Sequence, residues 1–341
     1  MVSVRLRTAV PGLLQQRAIV SVHECRGTMI ALFLPVLSPS ALDRARALID
    51  ALGPSTKVVS PHPAPPVPPA EWIQLAHPDP AAWRQWVEAR RPSVVVIDGS
   101  GAHTRAATGL DATVAVVVQL DGDVDGDVGA AYSEADLILV PWPAGRVVES
   151  WPVRWEEHTL HLGALGWRAK SAARRRPGDI EALTHWRQCM VLSATGAGPR
   201  PRERRAMMTG SADWSWTYAP DHAVLDDGPV WETLWRCSVV VCAPTPANLA
   251  AVAVARKPAV LVTGTWSYGQ AFLADAASRT APVLVQDSWP DPGDWRALLE
   301  QARLLDGNAW EAWSPEPGLR ALAGIARGVP VTTALAAPAQ V

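Results

Sequence analysis

The stretch Met29-Ile30-Ala31-Leu32-Phe33-Leu34-Pro35-Val36 decides the fold class. It is apolar almost without a break, the pattern of a strand buried on both faces of a parallel sheet. Leu37-Ser38-Pro39-Ser40 then reads as a turn with Ser40 as helix cap, and Ala41 to Leu52 carries apolar residues at helical spacing up to Gly53. Thr56 to Ser60 is the next strand, so the segment makes one βαβ unit. Further out, Pro61 to Pro69 is a proline-rich loop and Trp83 and Trp86 lie on a short helix. Ser93 to Ile97 is a buried strand closed by Asp98-Gly99-Ser100-Gly101, and Ala102 to Gly109 is a helix. Thr113 to Leu120 and Leu137 to Val140 are further strands.

A second cycle starts at Cys189 to Ser193, with the loop Ala194-Thr195-Gly196-Ala197-Gly198 and a helix from Arg202. Strands follow at 215–218, 238–242, 258–263 and 283–285, with helices at 231–236, 248–256, 271–277 and 295–304. The reading is α/β, with two tandem doubly wound (Rossmann-like) domains facing across a cleft. Residues 1–28 read as an extension ahead of the fold pattern, 29–143 as the first domain, and 144–186 as a connector. Residues 187–310 read as the second domain and 311–341 as a C-terminal helix and tail. Open parallel sheets take ligands beyond the carboxyl ends of their strands, which puts the expected site between the domains.

Composition narrows the function. The 341 residues are 48% hydrophobic with a formal net charge of -2, which argues against global disorder and against a general nucleic-acid binder. Lysine occurs only at Lys57, Lys170 and Lys257, a coding bias that discounts the number of arginines. Cys25, Cys189, Cys237 and Cys242 form no C-x-x-C pair and read as free thiols of a reducing compartment. No apolar run is long enough for a spanning helix. Tryptophan is abundant, 17 residues against 2 phenylalanines and 3 tyrosines. Trp142, Trp151, Trp155, Trp167, Trp186, Trp214 and Trp216 cluster in or just after the connector and are expected to wedge the domains together.

Local constellations each carry two readings. The loop around Thr195, Gly196 and Gly198 lets backbone N–H groups approach a phosphate, or is an ordinary strand-to-helix turn. Thr245 offers a hydroxyl and Asn248 either contacts a ligand or caps its helix. Asp98 and His103 flank a strand end and either form an acid–base pair or bond the loop. Asp121 to Asp127 resembles the start of a calcium loop, but its twelfth position is Tyr132, so a solvated acidic loop is preferred. No metal site is assigned, and His158 and His161 are not paired into one.

With these residues in hand, the second half resembles the nucleotide-sugar glycosyltransferases of GT-B fold, most of all their MurG-like branch (glycosyltransferase family 28-like). The stretches that carry the resemblance are Val191 to Gly198, Val224 to Val241, and Asn248 to Val262 with the turn Arg256-Lys257-Pro258, followed by Gln270. The resemblance implies transfer of a sugar from a nucleoside diphosphate sugar, with no other cofactor, to a small-molecule or lipid-linked acceptor. It implies a cytoplasmic, bacterial enzyme without a nucleic-acid partner and is compatible with peripheral membrane association. The donor would lie against Thr195, Gly196, Gly198, Thr245, Asn248, Trp266 and Gln270. The base would be Asp98 or His103. The sequence departs from the family pattern at Leu37-Ser38-Pro39-Ser40, where a Gly-His turn is usual. It departs again at Ala251, where an acid usually holds the ribose, and at Leu273, where asparagine is usual. A non-catalytic homologue acting as a binding or regulatory partner therefore stands beside the transferase reading, with a nucleotide-sugar epimerase or hydrolase behind both.

Overall fold

The computed structural model describes residues 29–66, 68, 70–99, 101–118, 126–144, 151–166, 187–192, 200–219, 228–263 and 268–336. The first domain holds seven parallel strands: β1 (Ile30–Phe33), β2 (Thr56–Ser60), β3 (Glu71–Gln74), β4 (Val94–Asp98), β5 (Thr113–Val117), β6 (Leu137–Val140) and β7 (Thr159–His161). Their order is β3-β2-β1-β4-β5-β6-β7. Its helices are α1 (Pro39–Leu52), α2 (Pro80–Arg90), α3 (Gly101–Ala107), α4 (Gly126–Glu134) and the single turn α5 (Val153–Glu156). The second domain holds five parallel strands: β8 (Gln188–Leu192), β9 (Ser215–Ala219), β10 (Val239–Cys242), β11 (Ala259–Val262) and β12 (Val283–Gln286). These run in the order β12-β11-β10-β8-β9. Its helices are α6 (Pro201–Gly210), α7 (Gly228–Arg236), α8 (Pro246–Ala255), α9 (Tyr268–Thr280) and α10 (Trp295–Arg303). A 3₁₀ turn (Gly307–Trp313) leads to α11 (Glu316–Ala326) and α12 (Val331–Ala336).

Both sheets are doubly wound, as their continuous apolar strands require. Strand order reverses at β1/β4 in the first sheet and at β8/β10 in the second. Ile30, Leu32, Val58, Val94 and Val96 face α1 and α11 on one side of the first sheet. Phe33, Val95 and Ile97 face Trp83 and Val87 of α2 on the other.

Several expectations change. Ser38, not Ser40, caps α1: its hydroxyl accepts from the Ala41 N–H at 3.1 Å, and Pro39 takes the first helical position. A proline there sacrifices no helical hydrogen bond. Thr245, not Asn248, caps α8 for the same reason, with Pro246 following it. The stretch read as connector holds β7, which is hydrogen-bonded to β6 from Ile138↔Thr159 to Val140↔His161. β3, beyond the proline-rich loop, was not expected either. The terminal helix does not trail away: α11 lies against α1, and Leu322 and Ile325 complete the first domain's core. Gly318 permits this approach, since a Cβ there would collide with the carbonyl of His161.

The tryptophans divide. Trp142, Trp151 and Trp155 pack with Tyr132 in a cluster that continues into the second domain, where Trp142 stacks on Phe272 at 6.4 Å. Trp310 and Trp313 join the same cluster. Trp214 and Trp216 do not: they lie with Trp295 on the far face of the second sheet. Trp167, Trp186 and Trp266 lie outside the described residues. Cys189, Cys237 and Cys242 are free and buried. Burial pushes the thiols of Cys237 and Cys242 up to about 12, so they remain protonated.

Candidate functional site

The site is expected at the two strand-order reversals, because there neighbouring loops diverge and leave a crevice. At the first reversal, β1 runs into the capped start of α1, and β4 ends at Asp98. Arg44, on the second turn of α1, reaches across the crevice to Asp98. Its Nε and Nη2 donate to Oδ1 at 3.2 and 3.1 Å, and Nη2 also donates to Oδ2 at 2.8 Å. The Asp98 side chain is 8% exposed and that of Arg44 15%. Both carboxylate oxygens are therefore engaged by one guanidinium, and Asp98 bonds Arg44 rather than His103. To take a proton it must surrender a charge-assisted hydrogen bond.

His103, on α3, is held differently. Its Nε2 lies 2.8 Å from the carbonyl of Pro78, and its ring packs on Phe33 at 4.7 Å. Phe33 in turn stacks on Trp83 at 4.4 Å. Burial pulls the imidazole below its ordinary value, against the opposing pull of the Pro78 carbonyl and Asp79. The ring is thus neutral at pH 7, the form that can accept a proton. The crevice is narrowed further at Ser60, whose hydroxyl donates to the Leu34 carbonyl at 2.9 Å.

At the second reversal the described groups are neutral. β10 ends at Cys242, and Ala243 and Pro244 lead to the start of α8. The Thr245 hydroxyl accepts from the Asn248 N–H at 3.2 Å, and the Asn248 side-chain amide donates back to the Ala243 carbonyl at 3.0 Å. Thr245 and Asn248 are thereby fixed against each other, and the partial positive end of α8 is presented at the crevice. Its neighbour α6 opens with a basic turn, with Arg200, Arg202 and Arg205 around Glu203. Arg204 lies over the Tyr218 ring at 4.9 Å, packing α6 against β9. Gln270, half-buried, sits in the first turn of α9, two residues before the Phe272 that meets Trp142. Thr195, Gly196, Gly198 and Trp266 lie outside the described residues, as does most of the acidic run from Asp121.

The arrangement sets a helix start and a cluster of arginines on one side of the seam and an ion pair with a neutral histidine on the other. Sequence reasoning missed Arg44. Its signal was readable once strand order was known, because the helix after β1 must pass the end of the strand beside β1. A cavity of about 630 Å³ also lies between the domains, lined by Ala47, Ala51, Ala253, Arg256 and Trp310. It opens at the last turns of α1 and α8, away from the strand carboxyl ends, and so does not belong to this site. No described helix is long and apolar enough to cross a membrane.

No family model matches the chain, and no curated protein matches it. Solved structures do. The spinosyn rhamnosyltransferase SpnG complexed with thymidine diphosphate is 16% identical at a TM-score of 0.54, covering 88% of this chain and 98% of its own. The same enzyme has been solved with spinosyn aglycone. The glycotransferase of kitacinnamycin is 16% identical at a TM-score of 0.57, covering 91% and 98%. MurG from Acinetobacter baumannii is 10% identical at a TM-score of 0.57, covering 88% and 99%. The chain has the GT-B fold of these glycosyltransferases, at low sequence identity.

Proposed function

We propose that this chain transfers a sugar from a nucleoside diphosphate sugar to an acceptor hydroxyl. The observation that carries the reading is the pair of doubly wound sheets, with a capped helix start and a basic helix start at the second reversal, in the fold of SpnG with its thymidine diphosphate. The diphosphate lies toward the loop holding Thr195, Gly196 and Gly198 and toward Thr245. Backbone N–H groups and arginines there stabilise the charge that builds as the sugar departs. Asn248 and Gln270 hold the nucleotide, and Trp266 stacks on its sugar or base. The acceptor lies against the first domain, where neutral His103 or Asp98 takes the hydroxyl proton. A bacterial cytoplasmic enzyme of the MurG-like branch, with a small-molecule or lipid-linked acceptor, completes the reading.

One observation favours a second reading, a binding protein without turnover: Asp98 is already committed to Arg44. Calorimetry against a panel of nucleoside diphosphates, followed by product analysis with the matching nucleotide sugars, separates the two. Binding with transfer supports the first. Binding without transfer selects the second. No binding at millimolar ligand overturns both.

A further inference from the structure

A second concavity, of about 880 Å³, runs along the opposite edge of the first domain. It crosses the amino ends of the strands: Met29 precedes β1, Pro92 precedes β4, Asp111 precedes β5, Asp136 precedes β6 and His158 precedes β7. Val331 of α12 forms a wall. Three carboxylates, Asp111, Glu134 and Asp136, face one guanidinium, Arg91. Asp136 accepts the Val114 N–H at 2.8 Å, which holds the strand start. Asp111 and Glu134 are exposed and have no ion-pair partner among the described residues.

Residue 29 is also where residues 1–28 join the fold. The Met29 carbonyl is pinned in the concavity by the Ser93 N–H at 2.9 Å and the Ser93 hydroxyl at 3.2 Å. The 28 residues before it carry Arg5, Arg7, Arg17 and Arg26 against the single acid Glu24. Arg26 is three residues from Met29, within about 10 Å of backbone, so its side chain starts beside the acidic groove. Crossing from β1 to β7 spans four strand spacings, about 19 Å, which six extended residues cover. The segment from Arg17 has twice that length.

We propose that residues 1–28 bind back into this groove, with Arg17 and Arg26 against Asp111 and Glu134. The extension is then a strap across the amino ends of the first sheet and part of the folded protein. Between exposed groups such attraction weakens as salt rises.

Hydrogen–deuterium exchange on the full chain tests the strap, compared with a chain beginning at Met29. Peptides within 17–28 are expected to exchange at least tenfold more slowly than free peptide, and peptides around Asp111 and Glu134 to lose protection when 1–28 is removed. Arg17→Glu with Arg26→Glu, substitutions outside the core, should abolish both effects. Adding Asp111→Lys with Glu134→Lys should restore them. Unprotected 17–28 in a folded chain overturns the proposal, as does groove exchange indifferent to the extension. Protection that rises with protein concentration, alongside a dimer in sedimentation, assigns the groove to a second copy and also overturns it.

Discussion

The two strand-order reversals are built on the same plan and finished in opposite ways. At β1/β4 the crevice holds a guanidinium and a carboxylate that neutralise each other, one 15% and the other 8% exposed. At β8/β10 the described residues bring no acid, only a helix start capped by Thr245 and the basic opening of α6. A crevice whose charges are spent internally presents shape, whereas one with unsatisfied positive potential attracts an anion. The division suits a protein that holds a diphosphate on its second domain and an uncharged acceptor hydroxyl on its first.

The largest expected effect breaks the first crevice. Arg44→Ala leaves a buried carboxylate without its counter-charge and should lower stability by about 3 kcal/mol, read from urea denaturation. Nucleoside diphosphate affinity should not change. Replacing the pair together, as Arg44→Met with Asp98→Leu, should stay within about 1 kcal/mol of the parent chain. If the single substitution is silent, the ion pair does not close the crevice.

The next effect is on the second crevice. Arg202→Ala with Arg205→Ala should weaken nucleoside diphosphate binding roughly tenfold, about 1.4 kcal/mol, while leaving stability nearly unchanged. Equal affinity before and after would remove these arginines from the donor side. The caps give a matched pair of smaller effects. Ser38→Ala and Thr245→Ala should each lower stability by about 1 kcal/mol, but only Thr245→Ala should also reduce affinity in calorimetry. An equal loss of affinity in both would erase the distinction between the crevices.

The smallest effect is in pH. The folded imidazole of His103 sits below its ordinary value of 6.5, so the unfolded chain binds a proton first on acidification. Its contribution is intact above about pH 6.5 and is lost as pH falls through the folded value. His103→Gln should therefore flatten part of the acid limb of a stability–pH curve, by less than about 1 kcal/mol, without altering the plateau near pH 8.

The alternation of buried strands and helices was legible in the sequence, because runs such as Met29 to Leu34 and Val239 to Cys242 leave no polar face to expose. β3 and β7 were not, since four and three residues at the sheet edges carry too little periodicity to register. Both misplaced helix starts share one cause, a proline at the first helical position that reads as a turn. At the site, Asp98, Thr245 and Asn248 were singled out, but their partners were not. Arg44 lies 54 residues from Asp98 in sequence, and only the packing of α1 beside β4 brings them together.

Leu322 and Ile325 seal a core that Ile30 opens. About 290 residues separate them, and at ordinary rates of protein synthesis that is a delay of roughly 15–60 s. During this interval the amino-terminal sheet waits on the ribosome with one face partly uncovered, while the second domain, whose strands all lie between residues 188 and 286, can close earlier. The half that is made first is thus finished last, and its nascent form is the one that most needs a chaperone.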